Sequence, residues 1–422
     1  MKFGKEYGFL LMVLIAGCLL GGCEKRKSES ENMMSGNIKE TNQEARKQWE
    51  KGYDLPLEEV EREEAATECK EMMKKIQGIY KLADKGEASN VVLQDETMLE
   101  MQKALMETSC PISVTVTYSA MGNYKKADQF LADCKNGKSG SVVIYEVRQD
   151  GGINRMKFIY DETDMYVVST SGVWMENNTP GIAYTSYTRI KEWEYTENGW
   201  FCYELCVPEP PEVTEIMDGS CLIRIIPMPE KERELSKLCV QGIGYQGNNL
   251  LCSDWDLDNL DALDYNGLYE YLYRMKYGEQ LQAENYTDGI PKAEFESLMM
   301  EYFPISEEEL QKYAEFDEKT SRYAWASLGC GNYGPNFLGT SVPEVVEIKE
   351  NLDDTVTLTV NAVCDMVICN DALITHKLTV KFKEDGSFQY LGNEIWEEDK
   401  INVPEYQYRV KGEIKNGSGR IS

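Results

Sequence analysis

Closely spaced carboxylates are the side chains in this chain whose pattern comes nearest to a metal site. The run SDWDLDNLDALDYNG places five aspartates on one short segment: Asp254, Asp256, Asp258, Asp261 and Asp264. Carboxylates that alternate along a loop surround Ca²⁺ in many proteins. An EF-hand loop, however, requires glycine where Asn259 stands and glutamate where Tyr265 stands. Both departures favour an acidic helix cap, so we assign no metal ligand here, and Ca²⁺ binding by Asp254, Asp256, Asp258 and Asp261 stays the open alternative.

Histidine chemistry depends on one residue, His376, because the 422-residue chain has no other histidine. His376 lies in register with Ile374 and Leu378 on an apolar strand face, which is typical of a packed core side chain. A Ser-His-Asp or Cys-His site would need it, and no nucleophile turn is recognisable. We therefore assign no catalytic residue. The paired carboxylates of a glycan hydrolase remain open, since 73 acidic residues offer many pairs and no local pattern selects one.

Three glycine-containing segments resemble nucleotide-binding loops but lack the necessary context. Residues 132–139 match a permissive phosphate-binding loop, yet the predicted helix precedes it and the strand follows it. Residues 242–247 and 329–334 fit a dinucleotide fingerprint without a strand before and a helix after. We interpret the first as a basic turn and the others as loops, and we predict no cofactor.

The first 23 residues are typical of an export signal that ends in a lipidation site. An uncharged, mostly apolar run at 8–22 follows two lysines and is shorter than the ~20 residues that span a bilayer. The sequence LGGC at 20–23 resembles a lipobox, and a charged segment follows at once. We predict that acyl chains on Cys23 hold the protein on the extracytoplasmic face of the cell membrane. Cys18 is the alternative lipidation site.

The remaining cysteines do not form a recognisable disulfide framework. Of 13 cysteines, 11 follow Cys23, their spacing is irregular, and no C-x-x-C zinc pattern occurs. Cys202 and Cys206 lie four residues apart on a predicted strand, about 13 Å, where a disulfide needs less than ~7 Å. We infer free thiols in an organism that lives with little oxygen. A bridge between Cys364 and Cys369 at a hairpin end is the alternative that stays open.

The chain is strongly acidic, with a formal net charge of −29. Such a surface repels nucleic acid, so the sequence predicts no nucleic-acid partner. After the signal, no segment is long and apolar enough to cross a membrane. The acidity itself is typical of a solvated surface.

Hydrophobic periodicity divides the chain into helical and β-rich parts. Apolar stripes predict helices before residue 110, and alternation from Ile112 to Tyr118 predicts the first strand of an antiparallel meander. Asn198-Gly199 suits a two-residue type I′ hairpin turn. Ile153–Tyr160 is a predicted strand of this meander, and Ser306–Tyr323 is predicted as one helix. Four strands are predicted after it, at Pro343–Lys349, Val356–Cys364, Ala372–Phe382 and Phe388–Ile395. The predicted divisions are a signal peptide at 1–22, a polar tether at 23–53, a helical segment at 54–110, a β-rich domain at 111–260, a C-terminal α+β domain at 261–410 and a flexible tail at 411–422.

The predicted fold class is therefore α+β, with N-terminal helices, a central antiparallel meander and a C-terminal helix-plus-sheet domain. The last part is similar to cystatin-like or nuclear-transport-factor-like folds, a similarity that implies no function. The segments TENGWFCYEL, IRIIPM, YQGNNL and DYNGLYEYLYRMKYG, within about 110–280, resemble uncharacterised lipoproteins of anaerobic Gram-positive bacteria. That group has no assigned activity, so the resemblance implies no catalytic residue.

These observations favour a membrane-anchored surface lipoprotein that acts as a non-catalytic binding or interaction module of the cell envelope. Its expected partners are the membrane, through the lipid, and an envelope protein, a peptide or a glycan. The alternative is a carboxylate-based extracellular glycan hydrolase. A third option is a folding factor for other exported proteins, which would expose an apolar groove.

Overall fold

The molecule was analysed as a computed structural model, which describes residues 49–86, 90–329, 334, 336–367 and 369–410. All of them belong to one compact unit, Gln48–Ser422. Cys18, Cys23 and the predicted signal, most of the tether and the tail after residue 410 lie outside the described residues. The architecture is mixed α+β, as the sequence predicts.

Two helices, α1 (Glu59–Leu82) and α2 (Asp95–Leu105), open the described chain. Their apolar residues recur at helical spacing and are buried on one side, as expected of a helix that packs on a core. From α1 these are Ala65, Cys69, Met72, Met73, Ile76 and Tyr80, and from α2 Met98, Met101 and Leu105. The predicted helical stripes are thus confirmed at most of their positions.

A curled seven-stranded sheet follows, and its strands neighbour one another in chain order. Every pair is antiparallel except β1 and β2, which run parallel. The strands are β1 (Ile112–Val114), β2 (Gly140–Val147), β3 (Ile153–Tyr160), β4 (Met165–Met175), β5 (Thr179–Tyr195), β6 (Trp200–Leu205) and β7 (Ser220–Arg224). Because the sheet curls, the ring centres of Phe158 in β3 and Tyr203 in β6 lie 5.4 Å apart.

The two faces of this sheet are covered by different helices, because side chains along a strand alternate between faces. On one face Ile144 of β2 shares a core with Phe130 and Leu131 of α3 (Lys125–Lys135). On the other, Tyr145 and Val147 pack with α1 and α2. The strand β2 therefore lies between two hydrophobic cores.

The second half of the chain builds a separate core around a four-stranded antiparallel meander. Its strands are β11 (Val342–Glu350), β12 (Val356–Val363), β13 (Ala372–Phe382) and β14 (Phe388–Ile395). A three-stranded sheet of two-residue strands has the order β8-β10-β9, with β8 (Ile290–Pro291), β9 (Phe316–Asp317) and β10 (Arg322–Tyr323). The helices are α4 (Glu230–Leu235), α5 (Tyr265–Tyr277), α6 (Lys292–Tyr302), α7 (Glu307–Tyr313) and α8 (Phe337–Thr340).

The predicted helix Ser306–Tyr323 is wrong beyond Tyr313. Ser306 begins α7 through a capping box with Glu309, but the chain turns extended at Ala314. The Asp317 carboxylate then accepts hydrogen bonds from the Lys319 N–H at 3.0 Å and the Thr320 hydroxyl at 2.8 Å. Such local side-chain bonds compete with helix formation and favour a turn, so this segment forms the hairpin β9–β10.

The structure of the first sheet also differs from two smaller predictions, the end of the first strand and the type of one hairpin turn. The first strand ends at Val114, and Tyr118 adopts a left-handed φ of 58° in the segment that follows. The hairpin forms at Asn198-Gly199, but only Gly199 has a positive φ, 82°, and the loop is closed by the Thr196 N–H and the Trp200 C=O at 2.9 Å. A type I′ turn needs a positive φ at both central residues. The loop is consequently wider than predicted.

A buried ion pair joins the seven-stranded sheet to the meander. Arg224 at the end of β7 is paired with Glu344 of β11, and both side chains are largely excluded from water. The Arg224 guanidinium also lies 5.0 Å from the Trp200 ring centre. Separately, among the described residues no helix combines the length and hydrophobicity that crossing a bilayer requires.

Candidate functional site

An open cleft beside the hairpin β9–β10 is the candidate binding site. It encloses about 680 Å³, within the range of small-molecule sites. Its walls come from the loop before β8, the hairpin itself and the extended segment after β10. The lining residues are Thr287, Asp288, Gly289, Glu315, Phe316, Asp317, Thr320, Arg322, Tyr323, Ala324 and Trp325. We refer to this surface as the hairpin cleft.

The walls of the hairpin cleft are fixed from below by one buried amide, Asn266, in the first turn of α5. Its Nδ2 donates to the Ala324 C=O at 2.8 Å, and its Oδ1 accepts from the Glu315 N–H at 3.0 Å. A further bond continues the β9–β10 ladder, from the Ala324 N–H to the Glu315 C=O at 2.8 Å. Because the amide satisfies backbone groups on both arms of this hairpin, the base of the hairpin is tied to a helix in the core.

Two partly exposed aromatic rings, Phe316 and Trp325, form the floor of the hairpin cleft and rest on buried side chains. The Phe316 ring centre lies 4.7 Å from that of Tyr323, which is fully buried. The guanidinium of buried Arg409 lies 5.7 Å from the Trp325 ring centre, and its Nε donates to the Ala326 C=O at 2.6 Å. Among the described residues, the indole Nε1 of Trp325 finds no hydrogen-bond acceptor. This nitrogen is buried, so the floor offers a ligand the exposed ring surface of Phe316 and Trp325 and not the indole N–H.

Carboxylates and hydroxyls form the rim. The side chains of Asp288, Glu315 and Asp317 are exposed there. The Thr320 hydroxyl and the Lys319 amide, which both donate to Asp317, hold the pKa of this carboxyl below its ordinary value of 3.8. Asp317 is thus a permanent acceptor near neutral pH. On the remaining wall, the Arg322 guanidinium donates to the Gly289 C=O at 2.6 Å.

The aspartates of 254–264 are dispersed among structural roles. Asp264 is buried and caps α5, accepting from the Gly267 N–H at 2.9 Å and the Tyr406 hydroxyl at 2.7 Å. Asp254 accepts from the Ile395 N–H at 2.8 Å, and Asp256 accepts from the Asp258 N–H at 2.9 Å. In the described ranges, no three acidic, histidine or cysteine side chains are grouped so that they could hold a metal ion. The cluster accordingly caps and turns the backbone.

His376 is a packed core residue, as its strand register predicts. It is completely buried, and burial lowers its pKa to about 4. Its two ring nitrogens are both occupied, Nε2 by the Tyr245 hydroxyl at 2.8 Å and Nδ1 by Asn393 Oδ1 at 2.6 Å. No face of the ring is left for a substrate.

The other candidate groups are also structural. The ten cysteines within the described part of the chain are free thiols, including Cys364 and Cys369, so the bridge between these two is absent. Burial raises the pKa of Cys239 and Cys252 to about 12, which keeps both thiols protonated and unreactive. Residues 132–139 follow the predicted order, with α3 first and β2 after it. Lys138 in this turn is paired with Asp133 at 2.8 Å.

The sequence pattern does not predict the hairpin cleft, because it predicts a helix at 306–323. This range contains six of the eleven residues that line the cleft. The local signal that opposes the helix is Asp317 followed by Thr320, a spacing that favours a side-chain-bonded turn. The walls are otherwise joined by Asn266, which lies 49 residues from Glu315 in the chain. A contact of that separation has no local signature.

Comparison with known proteins identifies one family. A family model described as a family of unknown function (DUF6070) matches residues 62–409, a range that includes all three sheets and the hairpin cleft. No curated protein matches the chain, and no solved structure matches it. The similarity to cystatin-like or nuclear-transport-factor-like folds therefore stays a prediction.

Proposed function

The chain belongs to the family of unknown function DUF6070, and we propose that it is a lipid-anchored envelope protein that binds a glycan in the hairpin cleft without cleaving it. The observation that carries the proposal is the composition of the cleft, an aromatic floor beneath a rim of carboxylates and hydroxyls. Sugar rings present apolar C–H faces and many hydroxyls. A floor of rings with acceptors around it complements both.

The rigidity of the site supports binding. Asn266 and Arg409 fix the backbone at the base of the hairpin and in the segment after it through hydrogen bonds to Glu315, Ala324 and Ala326. A wall that is already in place loses little conformational freedom when a ligand arrives, so less of the interaction energy is lost to ordering. The open shape also suits an extended chain better than a small enclosed metabolite.

Membrane attachment is the second part of the proposal and rests on the sequence alone. The lipobox at 20–23 and the polar switch after it support acylation of Cys23. The resemblance to lipoproteins of anaerobic Gram-positive bacteria supports the same location. An anchored glycan-binding protein would hold its ligand near the membrane surface.

A glycan hydrolase is the second candidate, favoured by one observation. The hairpin cleft has three carboxyl groups on its rim, and two-carboxylate catalysis needs a proton donor and a base or nucleophile. Asp317 does not suit the donor role, because its pKa is lowered and it stays ionised. A hydrolase would have to draw its general acid from Asp288 or Glu315.

A binding screen with product analysis separates the two candidates. The full chain is incubated with a panel of oligosaccharides of bacterial and plant cell walls and with short peptides. Binding is read on an array, and the products are read by mass spectrometry. The proposal expects retention of at least one oligosaccharide with no shorter product. Shorter products would establish the hydrolase, and retention of peptides alone would contradict a glycan site.

A further inference from the structure

The strand β2 of the seven-stranded sheet is covered by its outer neighbour β1 over only three of its eight residues. The parallel partner β1 pairs with Tyr145, Glu146 and Val147 and goes no further. In the part of the chain that the structure describes, no strand lies beside residues 140–144 on this side. An uncovered edge presents unpaired backbone donors and acceptors to whatever lies next to it.

The direction of these backbone groups follows from the bonds that β1 makes. The Tyr145 N–H donates to the Pro111 C=O at 3.0 Å, and the Val147 C=O accepts from the Thr115 N–H at 3.1 Å. Backbone groups alternate in direction along a strand. Val143 and Ser141 therefore direct their N–H and C=O groups to the same open side.

A groove of about 540 Å³ runs along this open side, which we name the β2-edge groove. Residues 141–143 of β2 form its floor, and Lys125, Lys126 and Gln129 of α3 form its wall. Cys110, just before β1, stands at its end. Pro111, the residue before β1, also lines the groove, so the groove lies beyond the N-terminal end of β1.

The charge of the wall is opposite to that of the molecule. The formal net charge is −29, yet two adjacent lysines face the groove. Further along the same segment, Lys135 is paired with Glu194 at 3.4 Å and Lys138 with Asp133 at 2.8 Å. Among the described residues, Lys125 and Lys126 take part in no ion pair. Their charge is available to a partner.

We propose that the β2-edge groove binds an extended peptide segment that pairs with Ser141 and Val143 as an added strand and places carboxylates against Lys125 and Lys126. Strand addition gives affinity through backbone hydrogen bonds, and side chains at alternate positions give specificity. The peptide side chains that share a face with Val142 lie on the α3 side, because Val142 packs with the α3 core. Carboxylates at every second position of the peptide thus meet the lysines.

The proposal predicts that the groove prefers acidic peptides, although the negative charge of the rest of the protein favours basic ones. A net charge of −29 repels an anionic peptide at long range and attracts a cationic one. A preference for the anionic peptide must consequently arise from the local lysine pair. The inference is independent of the hairpin cleft, which lies in the other half of the chain.

The test uses capped seven-residue peptides that alternate valine with a charged residue, glutamate in one and lysine in the other. Binding to the full chain is measured by fluorescence anisotropy at physiological salt. We expect the glutamate peptide to bind at least about tenfold more tightly than the lysine peptide. Its binding should slow amide hydrogen exchange at Ser141 and Val143. Methylation of the backbone nitrogens on its pairing edge should abolish the binding.

Two variants test the groove itself, and a matched variant serves as control. K125E/K126E should reverse the preference between the two peptides, while K74E/K75E makes the same charge change on exposed residues of α1 and should leave it unchanged. Val143→Pro removes an outward N–H at a strand edge, where proline is tolerated, and should weaken binding about tenfold. Circular dichroism checks that each variant is folded.

Three results would overturn the proposal. One is the absence of binding by the glutamate peptide up to about 1 mM, a concentration at which even a weak site is half filled. Another is equal or tighter binding of the lysine peptide. The third is the same effect of K125E/K126E and K74E/K75E. If Val143→Pro does not fold, the lysine variants and the methylated peptide still decide the outcome.

Discussion

The hydroxyl of Tyr245 lies 2.8 Å from Nε2 of His376, the single histidine of the chain. On the other side of the ring, Asn393 Oδ1 lies 2.6 Å from Nδ1, while the Asn393 amide nitrogen donates to the Ser253 C=O at 2.9 Å. Because Asn393 Oδ1 can only accept, Nδ1 carries the proton and Nε2 accepts from Tyr245. The neutral ring therefore satisfies every hydrogen bond available to it.

This arrangement predicts that the pKa of His376 is about 4 in the folded protein, well below the 6.5 of an ordinary histidine. The unfolded chain binds a proton more readily than the folded one, so stability is fully present above pH 6.5. It falls as the pH drops from 6.5 towards 4, by about 3 kcal/mol in total. The imidazole proton resonances of the one histidine should not titrate between pH 5 and 8.

A variant isolates this contribution from that of the carboxyl groups. His376→Gln removes the titration, so its free energy of unfolding should change less than that of the natural chain between pH 6.5 and 5. Parallel pH profiles for the two proteins, or a histidine that titrates near 6.5, would show that the ring is reached by solvent.

The buried pair Arg224–Glu344 predicts a strongly non-additive mutational cycle. Glu344→Leu leaves the Arg224 charge buried without its partner and should cost about 3–5 kcal/mol of stability. Replacing both residues, as R224M/E344L, should cost much less, within about 1 kcal/mol of the natural chain. Urea unfolding measures each protein. Equal losses for the single and the double variant would mean that the pair is hydrated.

Asp264 and Asp258 should behave differently although both belong to the same acidic run. Asp264→Ala removes a helix cap and takes the carboxylate acceptor from the partly buried Tyr406 hydroxyl and from the buried backbone N–H of Arg409, at a cost of about 2–4 kcal/mol. Asp258→Ala changes an exposed side chain and should cost less than about 0.5 kcal/mol. Thermal unfolding compares them. Millimolar Ca²⁺ should leave the melting temperature of the natural chain unchanged, and a rise that Asp258→Ala abolishes would restore the calcium site.

The proposed lipidation of Cys23 predicts where the chain is found after cell fractionation. Cys23→Ala should move it from the membrane fraction to the soluble fraction, because the proposed acyl anchor is lost. Cys18→Ala is the matched control and should remain with the membrane. If Cys18→Ala is released into the soluble fraction and Cys23→Ala stays with the membrane, Cys18 is the lipidated residue. Retention of Cys23→Ala beside a retained Cys18→Ala would argue against a lipid anchor.

The regular strands could be predicted because their signal is local. Alternation of apolar side chains predicts Ile153–Tyr160, Ala372–Phe382 and Phe388–Ile395 with the same bounds that the structure has. The fold class and the burial of His376 follow from the same pattern. These features need no knowledge of the rest of the chain.

Both candidate sites escaped prediction because they depend on long-range pairing. The hairpin cleft requires Asn266 to bind Glu315, and the charged composition of that segment locally favours a helix. At the β2 edge, the parallel register places the first residue of β1, Ile112, opposite Tyr145, so residues 140–144 extend beyond the start of β1. The open part of the edge is a consequence of this register. Hydrophobic period does not encode the register between two strands.

The measurement that tests the central claim most directly is the melting temperature of E315Q/D317N with the oligosaccharide that the natural chain retains. A ligand that binds only the folded form must raise the melting temperature. The glycan should raise it by several degrees for the natural chain and for the matched variant Glu318→Gln, an exposed neighbour outside the cleft. It should raise it little for E315Q/D317N, which lacks two rim carboxylates. Equal shifts in all three proteins would contradict the hairpin cleft as the glycan site.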